Sequence, residues 1–321
     1  MTAAITRLGP ADVRAAAHRI AGHVRRTPLI ADPDLPGLWL KGEHRQLGGS
    51  FKLRGAANAV LALGARAIVT GSSGNHGIAL ATMAAPLGVP VTVVMAAGAS
   101  TAKSDLVHAL GGRTITVAGG VAERDRSARK LAEETGAVFV PSSDDELIIA
   151  GQGTVGREVL ADAPDVATIF VPTGGGGLLA GVCLAVRDLP VRVVGVEPEN
   201  ADRYARSFAE GGPVLLPPSL TVADGLRGQQ PGLLTYPVIR ARVDELVAVS
   251  DAEIVAAQDR LARRGIAAEP SGAVALAGAL RTGWRGVAAA IVSGGNTAEA
   301  LAVAVRTHLP VHGVPTEKEF A

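Results

Sequence analysis

The chain has 321 residues, 48% of them apolar, and a formal net charge of +1. That is enough apolar material for one large domain or two modest ones, and so small a charge gives no electrostatic case for nucleic acid or an anionic membrane surface. Cys183, the lone cysteine, excludes an intrachain disulfide and fits a cytoplasmic setting, and with no signal-peptide pattern and no charge-free apolar run of about 18 residues, no membrane span is expected. Taken in chain order, an Ala-rich segment opening at Lys52 reads as a helix. Beyond it, β-branched runs at Ala67–Thr70, Val89–Met95, Arg113–Val117 and Ala137–Val140 read as strands. Helices are expected between them, near Asn75–Ala85, Thr101–Leu110 and Val121–Glu134. The second half repeats the alternation, with strands at Thr168–Val171, Arg192–Val196, Leu246–Val249 and Ala288–Val292. Ser250 and Glu253 form a capping-box pattern that starts a helix at about Asp251, and Gly265 stops it. Gly211 to Gly232, rich in Gly and Pro, reads as loop, and the polar tail Val311–Ala321 is expected to be loosely held. The alternation predicts an α/β fold with parallel-rich sheets flanked by helices.

Three glycine-rich elements stand at the carboxyl ends of predicted strands, where open α/β sheets bind ligands. Gly71-Ser72-Ser73-Gly74-Asn75-His76-Gly77 leads into a helix, and its free N–H groups suit a carboxylate or phosphate. Helix capping explains the same Ser and Asn as economically. Gly174-Gly175-Gly176-Gly177 is longer than a tight turn needs, since each Gly costs roughly 0.5–1 kcal/mol relative to Ala in regular structure. Four in a row suggest a nest of N–H groups around a phosphate. No Lys-Ser/Thr pair follows, so it is not a nucleotide P-loop, and Leu179 spoils a dinucleotide fingerprint. Ser293-Gly294-Gly295-Asn296 offers a hydroxyl to a ring nitrogen, or simply a helix cap near Thr297. The fourth feature is Lys52, after Gly49-Ser50-Phe51, an amine placed to form a Schiff base with an aldehyde. An amine, a phosphate nest, an anion-binding helix start and a strand-end hydroxyl together describe a pyridoxal 5′-phosphate site.

On these motifs the chain resembles the threonine dehydratase and serine racemase family of fold-type II pyridoxal-phosphate enzymes. The likeness runs from Arg26-Thr27-Pro28-Leu29 to Ser293-Gly294-Gly295-Asn296. Between them it takes in Leu40-Lys41-Gly42-Glu43, Gly49 to Ala56, Ser72 to Gly77, Ala150-Gly151-Gln152-Gly153-Thr154, Thr173 to Gly181, Val196-Glu197-Pro198, Ala223-Asp224-Gly225 and Glu269-Pro270. The resemblance implies a two-domain, tryptophan synthase β-like fold. Residues 1–57 and 146–321 would form a large cofactor-binding domain, and 58–145 a small one carrying the Ser-Ser-Gly-Asn-His loop. It also implies the site. Lys52 is the Schiff-base lysine, with Phe51 against one ring face and Gly225 near the other. Asn75 meets the ring 3-hydroxyl, Ser293 the pyridine nitrogen, and Gly174, Gly175, Gly176 and Gly177 the phosphate. Ser72, Ser73, Gly74, Asn75 and His76 receive the substrate carboxylate.

The implied activity is α,β-elimination of L-threonine, L-serine or a related β-hydroxy amino acid to a 2-oxo acid and ammonia. Ser73 marks the main ambiguity: many dehydratases of the family have alanine there, and serine racemases have serine. A racemase or a 3-hydroxyaspartate dehydratase is therefore the alternative, with a non-catalytic cofactor-binding protein or a cysteine synthase-like β-replacement enzyme more remote. Relatives are commonly homodimers. Relatives with a divalent cation place an acidic residue where this chain has Arg203, so no metal is expected, and Arg203 is expected to pair with Glu197 in the metal's stead.

Overall fold

A computed structural model describes residues 8–72 and 74–308. Helix α1 (Pro10–Ile20) is followed by a hairpin of β1 (Leu29–Ala31) and β2 (Leu38–Lys41), then α2 (Lys52–Leu63). Next come β3 (Ile68–Gly71), α3 (Asn75–Ala84), β4 (Val91–Ala96), α4 (Thr101–Ala109), β5 (Arg113–Val117), α5 (Val121–Thr135) and β6 (Val138–Phe139). The chain continues through α6 (Glu146–Asp162), β7 (Val166–Pro172), α7 (Gly177–Ala185), β8 (Arg192–Pro198), α8 (Arg203–Ala209), α9 (Thr235–Arg242) and β9 (Glu245–Val249). It closes with α10 (Asp251–Arg263), α11 (Pro270–Thr282), β10 (Val287–Ile291) and α12 (Ala298–His308).

The strands expected from the sequence are present, within two residues at each end. The capping box forms as read: Ser250 Oγ accepts from Glu253 N, and a Glu253 carboxylate oxygen accepts from Ser250 N at 2.7 Å. Gly265 then takes φ +69°, a conformation that favours glycine. The 211–232 segment is loop apart from a short 3-10 turn at Asp224–Leu226. The β1–β2 hairpin was not anticipated. Both strands are short, and Leu38–Lys41 gains its place only by pairing in parallel with β10. The Val311–Ala321 tail lies outside the described residues.

Among the described residues the strands make two sheets. The larger has order β1-β2-β10-β7-β8-β9 and is parallel except for the β1–β2 pair. The smaller has order β5-β4-β3-β6 and is parallel throughout. In each sheet the chain advances one way and then returns to the other side of its starting strand. β7, β8 and β9 step outward before β10 comes back beside β7; β3, β4 and β5 step outward before β6 comes back beside β3. Each return opens a crevice at the strands' carboxyl ends. All the glycine-rich elements fall at these two switch points.

Helices cover both faces of the larger sheet. Ile169, Val171 and Val193 pack with Leu179, Val182 and Ile149 on one side, while Phe170, Val194 and Val196 pack with Val274, Leu276 and Ile254 on the other. The first face requires very close helix contact. A Cβ on Gly181 of α7 would sit 2.4 Å from Gly153 N of α6, so the Gln152-Gly153 motif is a packing device.

The start of α2 rests on a buried ionic cluster. Arg54, fully buried, meets Glu43 with Nε–Oε2 and Nη2–Oε1 both 2.8 Å, and Glu158 Oε1 with Nη1 at 2.7 Å. Lys41 Nζ, also buried, donates to Glu158 Oε2 at 2.6 Å and to Thr27 O at 2.6 Å. Two cations and two carboxylates thus fix the helix that begins at Lys52.

Candidate active site

Lys52 reaches its place because the segment before it adds to the end of β10. Phe51 N donates to Ser293 O at 3.0 Å, Gly295 N donates to Gly49 O at 2.9 Å, and Ser50 and Gly294 form an antiparallel bridge. The Lys52 side chain crosses to the smaller sheet, where Nζ donates to Ser142 O at 2.6 Å and stands 5.2 Å from the Phe51 ring centroid. Burial, then the Arg124 cation, pulls the amine down to about 8. A good fraction is then neutral near physiological pH, as a nucleophile requires.

The glycine run follows β7 across the same crevice. Gly176 has φ +87°, and a Cβ there would stand 2.0 Å from the Tyr204 hydroxyl; a Cβ on Gly175 would stand 2.2 Å from Ser143 Oγ. No side chain larger than hydrogen fits these two positions without movement of their neighbours. The N–H groups of Gly174, Gly175 and Gly176 find no acceptor among the described residues. Such unpaired donors are what a phosphate would satisfy. Gly225 lies beside this run: a Cβ on Gly174 would be 3.3 Å from Gly225 O. Gly225 N donates to Ser271 Oγ at 2.9 Å, and Ser293 Oγ donates to Ser271 O at 3.2 Å. Ser271 therefore ties the Gly225 turn to the strand-end serine.

The third element follows β3. Ser72 Oγ accepts from Gly74 N at 3.2 Å and from Gly77 N at 3.1 Å, so this hydroxyl caps α3. Ser73 lies outside the described residues. Asn75 is held by both ends of its amide. Its Oδ1 accepts from Asn296 Nδ2 at 2.9 Å, and its Nδ2 donates to the buried Glu269 carboxylate at 2.5 Å. This fixes the amide with its donor end toward Glu269 and leaves the second Nδ2 hydrogen for a ligand. Glu269 in turn lies 3.7 Å from Lys103 Nζ, which pairs with Asp224 at 2.8 Å. His76 is buried with Nε2 3.2 Å from Val140 O. Burial, then the Lys52 cation, pushes its imidazole down to about 3, so it is neutral.

The structure thus gathers Lys52, Phe51, Gly174 to Gly177, Gly225 and Ser293 around one crevice, with Asn75 joined to it through Glu269 and Asn296. Ser142, Ser143, Glu269, Asn296, Ser271 and Arg124 were not singled out from the sequence as site residues. Ser142 and Ser143 lie three and four residues past the end of β6, so the rule that ligands sit at strand carboxyl ends would have found them. For Arg124, on α5, no sequence signal existed. The expected Arg203–Glu197 pair is looser than foreseen. Its nearest approach is 4.0 Å, and the guanidinium hydrogen-bonds backbone carbonyls instead. Among the described residues no three His, Cys, Asp or Glu side chains converge as a metal site would need.

The profile of the pyridoxal-phosphate dependent enzymes matches residues 20–294. A serine racemase from rice (Oryza sativa subsp. indica) is 38% identical over 304 residues, covering 88% of this chain and 89% of its own. An L-threonine ammonia-lyase from Geobacter sulfurreducens is 38% identical over 299 residues, covering 88% of this chain and 74% of its own. The structure of maize serine racemase superposes with a TM-score of 0.87 at 36% identity, covering 94% of this chain and 97% of that one. This chain belongs to the family of pyridoxal-phosphate-dependent enzymes.

Proposed function

We propose that the protein is an ammonia-lyase that converts L-threonine, L-serine or a related β-hydroxy amino acid to a 2-oxo acid and ammonia. The residues present fit pyridoxal phosphate. Gly174 to Gly177 offer unpaired N–H groups to its phosphate, Ser293 a hydroxyl to its ring nitrogen, and Asn75 an amide hydrogen to its 3-hydroxyl oxygen. Lys52 offers the amine, Phe51 and Gly225 the two flanks of the ring. When bound, the cofactor supplies an electron sink that acidifies the substrate's Cα–H bond. Lys52 takes that proton as general base, its lowered pKa matching the task. The N–H groups at the start of α3 orient the substrate carboxylate, with the hydroxyl of Ser72 bracing them and Gly74, Asn75 and His76 completing the wall.

The observation that carries this reading is the residue at the end of β10. Ser293, which would meet the ring nitrogen, is a neutral hydroxyl and not a carboxylate. It cannot hold a proton on the ring nitrogen as a carboxylate can, which favours prompt loss of the β-hydroxyl over transamination. Purified holoenzyme should release 2-oxo acid from at least one of L-Ser, L-Thr and the 3-hydroxyaspartate isomers. An absence of turnover across that panel and its D-isomers would leave only a cofactor-binding protein.

Racemisation is the second reading, favoured by Ser73. Racemisation requires a second proton donor for the face of Cα away from Lys52, and the Ser73 hydroxyl is the candidate that the sequence offers. Ser73→Ala is then expected to cut racemisation at least roughly tenfold more than elimination. Equal losses in both would make Ser73 a carboxylate ligand only. We also read the chain as a cytoplasmic homodimer with a small domain over residues 58–145; sedimentation tests the dimer.

A further inference from the structure

The glycine cradle is braced from behind by one short helix. Arg203 and Tyr204 open α8, and both are fully buried. Arg203 Nη1 donates to Thr173 O at 3.2 Å and to Gly174 O at 2.6 Å. Arg203 Nη2 donates to Leu226 O. Tyr204 Oη and Thr235 Oγ1 each lie 3.1 Å from the next carbonyl, Gly175 O, and 2.7 Å from each other, so their two hydroxyl hydrogens serve that oxygen and the bond between them. Three consecutive carbonyls, 173 to 175, are therefore pinned toward α8. In a trans peptide the carbonyl and the following N–H point in opposite directions. Pinning those oxygens turns the N–H groups of Gly174, Gly175 and Gly176 away from α8, and these are the donors without an acceptor among the described residues.

We propose that Arg203 is the positioning residue of the cofactor site: a built-in cation that aims the phosphate-binding amides and locks the Gly225–Leu226 turn to them. A neutral side chain could satisfy one of these carbonyls. Only a planar fork with five donors reaches oxygens of two loops at once. Its charge also lies behind the cradle, where it favours an anion in front of it. Glu197, 4.0 Å away, is a partial counter-ion whose carboxylate is occupied by Tyr204 N and Ala205 N, both at 3.0 Å.

This inference rests on the reading of Gly174–Gly177 as the phosphate site, and the test separates the two. Kd values of apo-protein for pyridoxal phosphate and for pyridoxal, which lacks the phosphate, are measured in wild type, Arg203→Lys, Arg203→Met with Glu197→Gln, and Gly175→Ala. Loss of the brace is expected to weaken pyridoxal phosphate roughly tenfold to a hundredfold, and pyridoxal, which feels only the Gly225 turn, far less. Arg203→Lys, which keeps the charge without the fork, should fall between wild type and the double variant and covers the case in which the latter fails to fold. If Gly175→Ala loses the phosphate preference and the Arg203 variants keep it, the inference is overturned and the cradle stands. If no variant alters the preference, the cradle reading itself fails. Equal loss of both ligands in the Arg203 variants would make Arg203 a general structural residue and overturn the proposal. Prolonged chelator treatment should leave the wild-type Kd unchanged; a loss restored by Mg²⁺ would show that a metal, not Arg203, serves these carbonyls.

Discussion

Lys52→Ala is expected to remove steady-state turnover, by at least about a thousandfold, and with it the visible absorbance of lysine-bound cofactor. Few other groups are in a position to substitute. His76 is buried, neutral and engaged with Val140 O, and Lys103 is held by Asp224 and Glu269. The amine's lowered pKa adds a pH signature. The neutral form attacks an aldehyde, so uptake of pyridoxal phosphate by apo-protein should quicken as pH rises through about 8 and level off above it. Retained turnover in the variant would overturn the assignment of Lys52. Uptake that goes on rising to about pH 10 would show that the crevice does not depress its pKa.

Arg54→Met should have the largest effect on stability. Its guanidinium is the bidentate partner of Glu43 and one of two cations facing Glu158, all but Glu158 fully buried. Removing it leaves two carboxylates facing a single ammonium. Breaking a buried pair from one side costs about 3–5 kcal/mol, a large share of the roughly 5–15 kcal/mol that a domain has in total. Urea unfolding should register the loss, and Arg54→Met with Glu43→Gln should recover part of it because no uncompensated charge then stays buried there. A loss under about 1 kcal/mol would mean that water or rearrangement relieves the cluster. Burial opposes ionisation of Glu158, yet Arg54 and Lys41 hold its carboxyl below the ordinary value. A depressed carboxyl stabilises the fold above the unfolded pKa, and the contribution fades as pH falls through the folded one. Acid should therefore destabilise wild type more than a Glu158→Gln variant.

Much of the fold was legible because its signals are local. β-branched runs, the Ser250–Glu253 capping box and the breaker at Gly265 lie within a few consecutive residues, and each forms as the sequence indicates. Other features depend on partners far along the chain. The β1–β2 hairpin needs β10, some 250 residues away by the Leu38–Ala288 pairing. Arg203 was read against Glu197 because it stands where relatives with a divalent cation place an acidic residue. In the fold its donors go to carbonyls of residues 173, 174 and 226.

By itself the sequence determined most of the element types, the three strand-end motifs, Lys52 at a helix start and a family resemblance strong enough to name the cofactor. Those follow from turn chemistry and spacing within short windows. Only the tertiary structure decided how the motifs meet. The return of β10 beside β7 and of β6 beside β3 sets two switch points facing each other, bringing Ser142 to Lys52 and Ser293 to the cradle. The same assembly decided that Glu269 and Asn296 would orient Asn75, and that a guanidinium would stand behind the glycines. Strand order and long-range hydrogen bonds arise from burying whole faces at once, and no local pattern encodes them.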